Sequence, residues 1–125
     1  MDDLQEQVEK LRYHVKSLAA LLDNEVHPIE SLVVSMDWSE KDLEDAQAIF
    51  EKHAETLEQH GRIDAGRLEV DLTERFSIHY QTVKQIILAF WRSSDFVDVC
   101  RAFAEYYTCS EFGPILRGNR ELDVS

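Results

Sequence analysis

The chain has 125 residues, of which 44% are hydrophobic and 10% aromatic, and this composition excludes a disordered protein because it supplies a packed core. Its formal net charge of −12 argues against direct binding to nucleic acid or to an anionic membrane and favours a basic protein partner. Residues 1–75 carry 19 acidic and eight basic side chains, so most of the excess lies there. An ordinary solvated surface would explain the same charge.

The spacing of the apolar residues predicts an all-α fold, a compact bundle of five or six helices. Four glycines and two prolines leave few tight turns, and apolar residues recur at three and four positions. We predict one helical domain over residues 1–108 and a loosely held C-terminal tail over residues 109–125, where the periodicity fades. The apolar side chains of Phe112, Ile115 and Leu116 could instead dock against the body. Two cysteines without framework spacing, no signal peptide and no apolar run long enough for a bilayer predict a cytoplasmic protein.

The first helix carries a narrow apolar stripe with heptad spacing. Its members, called the seam residues below, follow one another at steps of four, three, four, three and four: Leu4, Val8, Leu11, Val15, Leu18 and Leu22. Such a stripe is typical of a helix that pairs with another helix, and it predicts a homo-oligomer. The partner helix could also belong to the same chain, and periodicity alone does not choose between the two.

The next helix boundaries follow from proline, a capping pattern and glycine. The first helix is predicted to run to about Asn24, and Pro28 then begins a short second helix. Ser39 followed by Asp42 resembles a capping box at the start of the third helix. Gly61 is predicted to end that helix, since glycine accepts the left-handed conformation common at helix ends.

Three further helices are predicted in the second half of the chain. Asp64 is predicted to cap the fourth helix and Ser77 the fifth. The fifth, over residues 80–91, is the most hydrophobic and is therefore expected at the centre of the bundle. A break at residues 93–95 precedes the last helix, which is predicted to reach Tyr107.

The third helix is strongly acidic on its outer faces. Between residues 37 and 58 there are eight acidic side chains against two lysines. The predicted acidic face consists of six carboxylates: Glu40, Glu44, Asp45, Glu51, Glu55 and Glu58. Carboxylates along a rigid helix could imitate the phosphates of a nucleic acid, whereas a solvated helix face would look the same in sequence.

Motifs that carry enzymatic chemistry are missing from the sequence. There is no glycine-rich phosphate loop, no nucleophile elbow and no paired-cysteine metal motif, so we expect no catalytic residue, no cofactor and no metal. His53 and His60 lie two helical turns apart, roughly 10 Å by the helical rise, so one metal ion cannot bind both without a third element. Cys100 lies in an apolar helical pattern that is typical of a buried cysteine.

Several short segments follow one another along the chain in a characteristic order and spacing: Val8 to Tyr13, Asp23 to Pro28, Leu32, Trp38 to Lys41, Gly61 to Leu68 and Phe103 to Tyr106. In this order and spacing, over about residues 4–107, the chain resembles the YhaI-like family of small uncharacterised bacterial proteins. The resemblance implies an all-helical fold with self-association. It implies no established activity and no functional residue.

These patterns favour a non-enzymatic interaction or regulatory protein. We expect it to self-associate through the seam residues and to present the acidic face to a basic partner. The alternative hypothesis is an acidic inhibitor, a DNA mimic or immunity-like protein of bacterial or phage origin that blocks a nucleic-acid-binding protein. An enzyme is the third hypothesis, and its candidate residues would be His53, His60 and Cys100.

Overall fold

The computed structural model describes residues 2–117, and within that range the chain is helical and contains no strand. The elements in chain order are α1 (Asp2–Ala19), α2 (Pro28–Met36), α3 (Glu40–His60), α4 (Ala65–Phe76), α5 (Tyr80–Arg92), α6 (Val97–Tyr106) and a 3-10 helix (Ser110–Phe112). The predicted all-α class is confirmed. The described range holds seven helices instead of five or six, because a one-turn 3-10 helix is too short to show helical periodicity.

The capping signals at both ends of α3 are confirmed. The Ser39 hydroxyl accepts a hydrogen bond from the Asp42 backbone N–H at 3.1 Å, and the Ser39 N–H donates to the Asp42 carboxylate at 2.9 Å. These two bonds pair backbone donors that the first helical turn leaves without partners. Gly61 ends α3 with φ of 73°, and its N–H donates to the Leu57 carbonyl at 2.8 Å.

Replacing Ser39 with alanine is expected to lower the free energy of unfolding by about 1 kcal/mol, because one donor of the first turn loses its acceptor. Urea unfolding followed by circular dichroism measures this change. Ser94→Ala is the matched control, since Ser94 lies exposed in a turn outside the helices. Equal effects of the two substitutions would contradict a stabilising role for the capping box.

Two helix ends differ from the prediction. The first helix ends at Ala19 instead of about Asn24. The backbone N–H groups of Leu21 and Leu22 donate to carbonyls three residues back, whereas an α-helix bonds residues four apart. Ser77 was predicted to cap the start of α5, and this prediction is wrong. It ends α4 in a left-handed conformation with φ of 53°, its N–H bonded to the Thr73 carbonyl, because α4 continues through Phe76 and α5 begins only at Tyr80.

Helix α5 lies at the centre of the core, as its hydrophobicity predicted. It packs against α2, α4 and α6, while α3 packs against α4 and α6. Seven of its residues are buried: Val83, Lys84, Ile86, Ile87, Leu88, Ala89 and Phe90. The ring centroids of Phe50 on α3 and Phe90 on α5 lie 4.5 Å apart, so this aromatic pair connects α3 to α5.

The core extends past the predicted domain boundary at residue 108. Phe112 and Ile115 are fully buried, and the Phe112 ring stands edge-on to Phe103 of α6 at 5.9 Å. Beside them the buried ammonium group of Lys84 donates to the Glu111 carboxylate at 2.6 Å. Residues 110–117 therefore belong to the packed body, and residues 118–125 of the predicted tail lie outside the described residues.

Candidate functional site

Five of the six seam residues lie on α1 and are exposed. Leu4, Val8, Leu11, Val15 and Leu18 keep between 45% and 67% of their surface accessible to solvent. Leu22 lies beyond the end of α1 and is half-buried, so the structure separates it from the other five. Among residues 2–117 of one copy, no side chain thus covers the apolar stripe on α1.

The remaining side chains of α1 are exposed as well. Every residue from Asp3 to Leu18 is exposed to solvent, and Ala19 is the first half-buried residue. The helix therefore extends away from the body formed by α2 to α6. This arrangement argues against the possibility that the seam residues pack on later helices of the same chain.

The predicted acidic face divides into two groups. Five of its members are exposed glutamates with no ion pair among the described residues: Glu40, Glu44, Glu51, Glu55 and Glu58. At 100° per residue they fall within roughly 60° of the α3 circumference, so they form one narrow line of carboxylates. We call these five residues the glutamate stripe.

Asp45 is different, because cations of the same chain bind it. Lys41 lies 2.9 Å from its carboxylate, and two nitrogens of Arg75 donate to it at 2.8 and 3.0 Å. Hydrogen bonds from Lys41 and then Arg75 hold the pKa of Asp45 below its usual value. Arg75 also binds Asp42, so it connects α4 to the first turns of α3. Asp45 therefore serves the packing of α3 on α4 rather than an outer face.

The two candidate histidines have different environments. His53 is buried, and its Nε2 lies 2.8 Å from the Asp71 carboxylate of α4. Lys52 and Arg67 contact the same carboxylate at 3.1 and 3.0 Å. Burial by itself raises the pKa of Asp71, but hydrogen bonds from His53 and Lys52 outweigh it and leave that pKa lowered.

His60 lies exposed on an open cleft at the end of α3, away from the His53 cluster. Arg62, Asp98 and Arg101 also line this cleft, which has a volume of about 1350 Å³. Within residues 3–117 no group of three or more histidine, cysteine or acidic side chains is arranged to hold a metal ion. The structure thus does not bring His53 and His60 together.

Cys100 lies in the core, as its apolar pattern predicted. It is fully buried, and burial raises the pKa of its thiol far above the ordinary value. Its sulfur lies 3.9 Å from the Asp95 carbonyl oxygen, within hydrogen-bonding distance for a thiol. A thiol in this environment stays protonated and behaves as a small apolar side chain.

A protein-family model described as "Protein of unknown function (DUF1878)" matches residues 1–107. The chain belongs to the DUF1878 family. The match includes all of α1 and ends at Tyr107, before the 3-10 helix. It does not connect this DUF1878 chain to a YhaI-like family by name, so that finer resemblance stays a prediction. No curated protein and no solved structure matches the chain.

Among the described helices of this DUF1878 chain, none is both long and apolar enough to cross a membrane.

The ion pair of Lys84 with Glu111 was not predicted from the sequence, although a single lysine within the most hydrophobic helix was the signal for it. A hydrogen bond from Lys84 holds the pKa of Glu111 below its usual value, and the pair ties residue 111 to α5.

Proposed function

We propose that this DUF1878 chain is a non-enzymatic interaction protein that self-associates through α1 and binds a basic protein partner. The observation that carries the proposal is the exposure of five apolar side chains in one line on α1. Soluble proteins rarely leave a contiguous apolar stripe in water unless another surface covers it. Since the body of the same chain does not cover the stripe, a second copy is the partner we propose.

The energetics of this contact favour a dimer that dissociates on dilution. Full burial of a leucine or valine side chain yields about 1.5–3 kcal/mol, so completing the burial of these half-exposed residues yields about 1 kcal/mol each. Two helices with five seam residues each then gain about 10 kcal/mol, against an association cost of about 4–15 kcal/mol. We therefore expect an oligomer whose population depends on protein concentration.

Replacing both Leu11 and Leu18 with lysine is expected to convert the oligomer to a monomer. Lysine keeps a high helix propensity, and both positions are exposed, so the body should keep its fold. Sedimentation at several concentrations measures the mass, and circular dichroism with urea unfolding measures the fold. Tyr13→Lys is the matched control, because Tyr13 is 68% exposed on the opposite side of α1.

A wild-type chain that stays monomeric at every concentration would contradict self-association. This holds also where the double lysine variant loses its fold. If the wild type is oligomeric and the double lysine variant unfolds, Leu11→Ala replaces it in the sedimentation experiment, because alanine removes apolar surface without adding charge.

The glutamate stripe supports the second part of the proposal, contact with a basic protein. Its five carboxylates face solvent and lack a neutralising partner among the described residues, so their negative potential is directed outward. The alternative function, an inhibitor that imitates DNA, draws on the same observation. By the helical rise, the stripe spans roughly 27 Å with one carboxylate about every 7 Å, half the linear density of phosphates along one DNA strand.

Reversing Glu44 and Glu51 to lysine is expected to weaken binding to the basic partner and to leave helicity unchanged. The partner is first isolated from a nuclease-treated host lysate on immobilised protein, and its release by salt and by added DNA is recorded. Glu74→Lys with Glu105→Lys is the control, because both are exposed glutamates outside the stripe. Release by DNA would favour the inhibitor, whereas a partner indifferent to DNA would favour the adaptor. Equal binding of both variants would contradict a role for the stripe.

A further inference from the structure

We propose that α1 pairs with α1 of a second copy as a parallel, two-stranded coiled coil, an inference that rests on the self-association proposed above. The seam of α1 alternates two residue types: Leu4, Leu11 and Leu18 alternate with Val8 and Val15. In heptad terms the valines occupy position a and the leucines position d. A β-branched residue at a with leucine at d is the combination that favours two parallel strands.

The numbers of valines and leucines also favour the parallel orientation. In a parallel pair each seam residue faces its own counterpart, so all five layers of facing side chains form. In an antiparallel pair position a faces position d, and α1 supplies two valines for three leucines. One leucine of each helix is then left without a layer, either Leu4 or Leu18, because Leu22 lies beyond the helix end.

The residues beside the seam fit the parallel pair and disfavour one of the two antiparallel registers. In a parallel pair Gln7 faces Arg12 of the other copy, and His14 faces Ala19, so no two charges of one sign meet. The antiparallel register that retains Leu18 places Arg12 opposite Arg12 of the second copy. Like charges at flanking positions destabilise a coiled coil, which disfavours this register.

A parallel pair would place both bodies at the same end of the coil. The C-terminal ends of the two α1 helices then lie side by side, and each body follows its helix after residues 20–27. The dimer then carries two glutamate stripes at one end of the coil, whereas an antiparallel pair would separate the bodies by about the 27 Å length of α1. Two stripes at one end would allow bivalent contact with a basic partner, which strengthens binding without any new contact.

Cysteine cross-linking of the full chain distinguishes the orientations. The background is Cys109→Ser, which leaves only the buried Cys100. Val8→Cys is oxidised alone and in mixture with Leu11→Cys or Leu18→Cys, in a glutathione buffer that lets disulfides exchange. The control is Tyr13→Cys, on the side of α1 opposite the seam. Sedimentation of the reduced proteins gives the number of copies.

We expect Val8→Cys alone to cross-link several-fold more than Tyr13→Cys and the reduced protein to have the mass of two copies. Preferential cross-links between Val8→Cys and either leucine variant would overturn the parallel orientation while self-association stands. A mass of three copies would overturn the two-stranded coil only. An oligomer without seam cross-links would place the contact elsewhere, and a monomeric mass would overturn both this inference and the proposed function.

Discussion

Replacing Phe112 with alanine is expected to lower the free energy of unfolding by about 3–5 kcal/mol. The Phe112 ring is fully buried against Phe103, so its removal loses apolar burial and leaves a cavity in a close-packed core. A loss of this size is a large part of the 5–15 kcal/mol, roughly, that stabilises an ordinary domain. Urea unfolding at pH 7, followed by circular dichroism and by tryptophan fluorescence, measures it.

Two further variants keep this prediction testable if the alanine variant does not fold. Phe112→Leu retains part of the buried volume and should cost only about 1–2 kcal/mol. Tyr106→Ala removes an aromatic ring that is 70% exposed and should change stability by about 0.5 kcal/mol or less. If Phe112→Ala had no larger effect than Tyr106→Ala, the packing of residues 110–117 on the body would be contradicted.

Local signals predicted most of the helices of the body. The Ser39 capping box, the left-handed Gly61 and the Asp64 cap each act within four residues, so the sequence displays them directly. The 3-10 helix was not predicted, because three residues are too few to show periodicity and its one buried side chain, Phe112, packs on Phe103 of another helix. Ser77 has the side chain of a helix N-cap, but α4 continues through Phe76, so Ser77 ends α4 instead of beginning α5.

The candidate surfaces were predicted in outline only. The five exposed seam residues of α1 could be found from spacing, since periodicity reveals which side chains share a face. The ion pairs could not, because Asp45 and Arg75 are 30 residues apart and His53 and Asp71 are 18 apart. Nothing in the spacing of α3 shows that Asp45 binds a cation of α4 while the nearby glutamates stay unpaired.

The Asp71 cluster gives the second large expected effect. Replacing Asp71 with alanine is expected to cost about 3 kcal/mol, because the buried His53 then loses its hydrogen-bond partner and the cations beside it lose their counter-charge. Unfolding in urea at pH 7 measures this loss. Glu74→Ala, at an exposed site on the same helix, is the control and should change stability by about 0.5 kcal/mol or less.

The pH dependence of this difference identifies the charge of Asp71 as its cause. Because the folded chain lowers the pKa of Asp71 below the ordinary value of 3.8, the ionised carboxylate stabilises the fold above that pH. This contribution disappears as the pH falls through the lower pKa of the folded state. The difference in unfolding free energy between wild type and Asp71→Asn, measured from about pH 5 downward, should therefore shrink below about pH 4. A difference that persists unchanged at pH 3 would mean that Asp71 acts through packing and neutral hydrogen bonds instead of its charge.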